Sequence, residues 1–107
     1  MKKFELYKKQ LEGKLRCKVF NETITDENGT AIPIKVAVLL EYFLASQGDT
    51  IEDAENNMNH IIRASLFANE DFGHNALEGI KPAPKKYWDK EAIMEFIADP
   101  FSDMNND

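Results

Sequence analysis

Ile51, Ala54, Met58, Ile61, Ile62 and Leu66 recur at helical spacing, with Ser65 on the same side, while Glu52, Glu55, Asn56, Asn59 and Arg63 face away. This predicts one amphipathic helix across 48–67, and its single apolar stripe requires a second layer to cover it. The start is written into the same stretch. Gly48 and Asp49 break what precedes, and Thr50 is a capping residue with Asp53 three positions on. Glu52, Asp53 and Glu55 put negative charge where the unpaired N–H groups of a first turn favour it.

Elsewhere the pattern has a different period. Leu15, Cys17 and Val19 alternate with Arg16 and Lys18, and Thr23, Ile24 and Thr25 follow, so 15–25 reads as a strand. The alternation changes phase at Phe20, the signature of a bulge. Asp26-Glu27-Asn28-Gly29 is the strongest turn signal, and a type I′ turn at Asn28-Gly29 predicts a hairpin into Ile32 and beyond. Across 32–45, Ile32, Ile34, Val36 and Val38 alternate as in a strand, whereas Val36, Leu39, Leu40, Phe43 and Leu44 also fit a helix. The Asn-Gly turn demands a pairing partner, which favours strand. Residues 2–12 fit either period: Phe4, Tyr7 and Leu11 share a helical face, and Phe4 and Leu6 alternate.

The expected fold is therefore α+β: a small antiparallel sheet, made of a hairpin plus a further strand, packed on the central helix. The alternative is an all-α chain. One domain spans 1–107, with hairpin and central helix in 14–68 and an extended loop or strap in 69–88. The two prolines of Ile80-Lys81-Pro82-Ala83-Pro84 enforce that extension, and Tyr87 and Trp88 follow as an aromatic anchor. Asp89 reads as the cap of a short C-terminal helix over 89–99, with Ala92, Ile93, Phe96 and Ile97 facing inward and Pro100 as its stop. Residues 101–107 read as a frayed tail.

Charge changes the picture more than composition does. The net charge is −6. Residues 1–35 carry eight Lys or Arg against five acids, and 36–107 carry five against fourteen. An acidic C-terminal two-thirds disfavours direct nucleic-acid binding and would steer a basic protein instead. The lone Cys17 has no disulfide partner, and no apolar run is long enough for a membrane span, which gives a cytoplasmic expectation with no membrane partner.

The inventory of chemistry is thin. His60 falls beside the apolar stripe and reads as a helix-surface residue, and His74 falls in a loop near Glu70 and Asp71 without a metal-ligand spacing. Asp26 and Asn28 lack the spacing of a calcium loop. No phosphate loop, hydrolase elbow or triad is legible. The expectation is a protein with no catalytic residues, no metal and no cofactor.

Ser46-Gln47-Gly48-Asp49-Thr50-Ile51-Glu52-Asp53-Ala54-Glu55-Asn56-Asn57 resembles the strand-to-helix junction of HicB-like proteins, the antitoxin family of bacterial HicA–HicB modules. The hairpin at Asn28-Gly29 and the run Leu77 to Trp88 match in order, so the likeness covers roughly 15–88. It implies a three-stranded antiparallel sheet on the helix, extended by a further strand. It further implies a non-catalytic protein that neutralises a small basic ribonuclease toxin, often as an oligomer. Two departures stand out. Leu40-Glu41-Tyr42-Phe43 replaces the family's Pro-Gly turn, and 89–107 is too short and acidic for a DNA-binding segment.

The functional expectation is a protein-binding module with a basic partner, homo-oligomers being allowed. Its candidate binding residues are Glu52, Asp53, Glu55, Asn56 and Asn59 on the helix, with Tyr87 and Trp88 either at a docking surface or strapping the domain's own core. The alternative is an acidic mobile-element or immunity-type inhibitor of a nucleic-acid-processing enzyme, imitating phosphate spacing.

Overall fold

The computed structural model describes residues 2–71 and 77–101, with side chains described over 5–68 and 77–101. The elements in chain order are α1 (Lys2–Gln10), β1 (Arg16–Thr25), β2 (Ala31–Leu39), β3 (Leu44–Gly48), α2 (Ile51–Asp71), α3 (Lys85–Asp89) and β4 (Met94–Ile97). The strands form one antiparallel sheet in the order β3-β2-β1-β4. The α+β expectation holds, and 33–47 is not helical, but the single strand expected across 32–45 is two strands, β2 and β3, separated by a turn at 40–43. No helix among the described residues is long and apolar enough to cross a membrane.

The central helix starts as its sequence dictates. Thr50 Oγ1 accepts from the Asp53 N–H at 3.1 Å, and the Thr50 carbonyl accepts from the Ala54 N–H at 3.1 Å. It runs on past the expected end to Asp71. Ala54, Met58, Ile62 and Leu66 are fully buried against Cys17, Val19, Ala37 and Leu39 of the sheet, with Tyr7 of α1 and Leu11 just after it closing the same core. The ambiguous 2–12 segment is thus helical over 2–10, and Tyr7, with Leu11 in the turn that follows, is buried on the expected face.

The β1–β2 ladder runs unbroken from Cys17↔Leu39 to Thr25↔Ala31, so the expected bulge at Phe20 does not form. The phase change has another cause: both faces of the sheet are covered. Cys17 and Val19 face α2, while Phe20, Val36, Val38 and Leu40 face a second small core made with Ala83, Tyr87, Trp88 and Ala92. The hairpin turn also differs from type I′. The Gly29 N–H donates to the Asp26 carbonyl at 3.0 Å, making Glu27 and Asn28 the central pair, and Gly29 follows at φ 81°. The Asp26 carboxylate accepts from the Asn28 and Thr30 N–H groups at 2.9 and 2.8 Å and so selects this wider turn.

Two further corrections concern the C-terminus. The short helix is α3, at 85–89, and Asp89 ends it instead of capping one over 89–99. Residues 94–97 are a strand on the edge of β1, with Arg16↔Ile97 to Val19↔Met94 in register. Ile93 and Ile97, expected inward, are exposed; Phe96 and Met94 pack towards the main core. The apolar residues Met94, Phe96 and Ile97 fit both periods, and the edge of β1 decides between them. Phe101, assigned to a frayed tail, is buried in the main core, while 102–107 lie outside the described residues.

The second hairpin turns at 40–43 without Gly, Pro or Asn. Its backbone is satisfied from a distance. The Leu40 N–H bonds Arg16 O at 2.9 Å, the Phe43 N–H bonds Lys81 O at 2.7 Å, and the Ala83 N–H bonds Leu40 O at 2.9 Å. Glu41 accepts from the Arg16 N–H at 3.0 Å and pairs with its guanidinium. The strap therefore holds the turn.

Candidate partner-binding site

Thr50 caps α2 directly after β3, so the helix starts beside the strand that leads into it. Gly48 lets the two backbones meet. Two shallow grooves open along this junction. One, of about 510 Å3, is lined by Val36, Ala45, Ser46, Gln47, Asn57, His60 and Ile61. The other, of about 450 Å3, has Ile24, Ile32 and Ile34 on its floor and Asp49, Asp53, Asn57, Gln47 and Gly48 around it. Gln47 and Asn57 belong to both, and Asn57 Nδ2 donates to the Gln47 carbonyl at 2.7 Å. Beneath them Ser46, the one buried polar side chain among the described residues, donates its hydroxyl to the Ala54 carbonyl at 2.8 Å.

The candidate residues on the helix do not share one face. Successive residues turn by about 100°. Asp53, with Asn57 and Ile61, lies on the β3 flank and joins the grooves. Glu52 and Asn56 are exposed between the flanks. Glu55 and Asn59 are half-buried on the other flank, where the Asn59 carboxamide oxygen accepts from the Asp99 N–H at 3.1 Å. Asn59 is thereby committed to holding the C-terminal segment.

Tyr87 and Trp88 lie across the sheet from α2. Tyr87 packs on Phe20 and Phe43, with ring centroids 6.0 and 5.5 Å away. The Trp88 indole N–H donates to Ala83 O at 3.0 Å, and Lys18 Nζ donates to the Trp88 and Lys90 carbonyls. Both rings therefore strap the domain's own second core. Cations gather here too: Arg16, Lys86 and Lys90 lie 5.1, 5.0 and 4.7 Å from the ring centres of Trp88, Tyr87 and Phe20. Dividing the chain at residue 35 hides this, because four of the five C-terminal cations (Lys81, Lys85, Lys86 and Lys90) fall in the strap region. The strap region therefore carries a cluster of bases that the division by sequence halves conceals, although Glu41, Asp89 and Glu91 lie there too.

Asp49, Gln47, Asn57 and the three isoleucines were not among the candidates. One signal was available: Ile24 and Ile32 face each other in register across the Asn-Gly hairpin, so they share a sheet face. No three His, Cys, Asp or Glu side chains among the described residues gather as a metal site. Glu70, Asp71 and His74 fall outside the described side chains. His60 is exposed at the groove.

Cys17 is buried, and its thiol donates weakly to the Leu15 carbonyl at 3.8 Å. Burial, then the negative charge of Glu41, pushes its pKa up to about 12, against a bond from the Ala98 backbone that lowers it. The thiolate is the reactive form, so reaction with a reporter disulfide at pH 8 is expected only on unfolding. An unfolded thiol ionises from about pH 9 and the folded one resists to about 12, so unfolding releases a proton in that window and stability falls as pH rises through it. Urea titrations from pH 8 to 11 should show this fall, and Cys17→Ala should make it shallower.

The fold and site define a small α+β domain whose terminal strand β3 adjoins a groove with isoleucines and two acids in its lining. No protein-family model, curated protein or solved structure matches the chain.

Proposed function

We propose that the chain is a non-catalytic protein-binding module that receives a small basic protein at the β3–α2 junction. The observation that carries this reading is the pairing of an isoleucine floor with the carboxylates of Asp49 and Asp53 at one rim. Apolar contact supplies affinity there, and the acids favour a cationic partner and repel acidic competitors. The resemblance to HicB-like antitoxins supports the same role, with a toxin-like basic protein as the partner. The inhibitor alternative uses the same acids and differs in what it occupies, the nucleic-acid cleft of an enzyme.

The test is capture from the native cell in low salt by the whole chain, compared with the Asp49→Lys/Asp53→Lys pair. A basic protein should be retained by the unaltered chain, released at about 0.5 M salt where exposed charges are screened, and lost on reversal. Reversal of Glu52 and Glu55, which lie away from the groove, should leave capture largely intact. Capture unaffected by reversing Asp49 and Asp53 would remove the site.

A further inference from the structure

We infer that the outer edge of β3 accepts an extended segment of the basic partner as a fifth strand, an inference that rests on the basic-partner reading above. The backbone shows which groups are available. The Leu40 N–H bonds Arg16 O, and the Asp26 N–H bonds Thr30 O, at the two ends of the β1–β2 ladder. Hydrogen-bonded pairs alternate along an antiparallel ladder. Hence the even-numbered residues of β2 bond towards β1, and Lys35, Ala37 and Leu39 bond towards their partners Gly48, Ser46 and Leu44 in β3. Ala45 and Gln47 must then point their N–H and C=O groups out of the sheet. Asn57 takes the Gln47 carbonyl. The Ala45 N–H, the Ala45 carbonyl and the Gln47 N–H face outward from the terminal strand.

Apart from the Asn57 bond to the Gln47 carbonyl, the described residues place few of the usual blocks to strand addition on this edge. Leu44-Ala45-Ser46-Gln47-Gly48 contains no charge and no proline, and its pairing with β2 has no bulge. The opposite edge, β4, is shorter and carries Glu95. Charge selects the occupant. A strand antiparallel to β3 begins beside Asp49 and Asp53 and ends beside the 40–43 turn, so basic residues belong in its first half. Alternate positions on the α2 side of the sheet meet Ile61 and call for aliphatic side chains. A second copy of a chain of net charge −6 would bring like charge to the same rim.

The probe is an eight-residue peptide alternating lysine with valine, titrated into the isotope-labelled whole chain and followed by amide hydrogen exchange. Saturating peptide should slow exchange at Ala45 and Gln47 at least tenfold. Ala45→Pro removes an outward N–H at an edge position that tolerates proline, and it should weaken binding at least tenfold. The same peptide N-methylated at alternate residues should fail on the unaltered chain, which reads the contact without a protein variant. Undiminished binding of the N-methylated peptide, or no binding of the parent peptide, overturns strand addition. If capture of the cellular partner still depends on Asp49 and Asp53 in either case, the basic-partner reading survives it. Protection of the same amides by raising protein concentration alone assigns the edge to a second copy and also overturns the proposal.

Discussion

Ile62→Ala should lower unfolding free energy by about 4 kcal/mol, within the range for large-to-small changes at fully buried aliphatic positions. Ile62 is 0% exposed at the middle of α2, in the core that joins helix, sheet and α1. Three methylene-sized groups are lost, and neighbours on a sheet and two helices cannot all move in to fill the space. Alanine's better helix propensity returns only about 0.4 kcal/mol. For a chain of this size the loss is a large share of a total of roughly 5–15 kcal/mol. Urea unfolding followed by circular dichroism measures it. Ile61→Ala is the internal control. One residue along, Ile61 turns to the groove flank and is only half-buried, so about 1 kcal/mol is expected. Equal losses at the two positions would contradict the orientation of the helix.

The contrast between these neighbours also marks what the sequence could reveal. The stripe of α2 and the Thr50 cap depend on residues within one or two turns of each other, so local spacing exposes them. The turn at 40–43 depends on Arg16, Lys81 and Ala83, each far away in the chain, and no local signal announces it. Phe20 misled for a related reason. A strand with one buried face alternates cleanly, but β1 has the α2 layer on one side and the strap on the other, and a doubly covered strand loses that alternation. The run Met94–Ile97 was undecidable locally because its apolar residues suit both periods, and pairing with β1 settled it. The candidate site was half legible for the same reason. Asp53 was found through its helix, whereas Asp49, Gln47 and the Ile24, Ile32 and Ile34 floor come together only when the hairpin and the junction are folded against each other.

Gly48→Ala should cost about 3 kcal/mol, at the upper end for added bulk in a packed site. It should also weaken partner capture beyond what unfolding explains. A Cβ at Gly48 would lie 2.5 Å from the Asp53 Cβ, 2.7 Å from the Ala54 nitrogen and 2.9 Å from the Asp53 carbonyl carbon. Two of these are backbone atoms of the first turn of α2, which the Thr50 cap holds in place, so a rotamer change offers no relief. The strand end must lift instead, breaking the Lys35↔Gly48 pairing and separating Asp49 from the isoleucine floor. Gly29→Ala gives the comparison. Gly29 has the left-handed φ of 81°, yet nothing lies within 4 Å of an added Cβ, so only the backbone preference of about 1–2 kcal/mol is at stake. Thermal melts of the two variants rank the effects. If Gly48→Ala melts with the unaltered chain, the close approach of β3 to α2 is absent, and the groove that depends on it cannot be the partner's site.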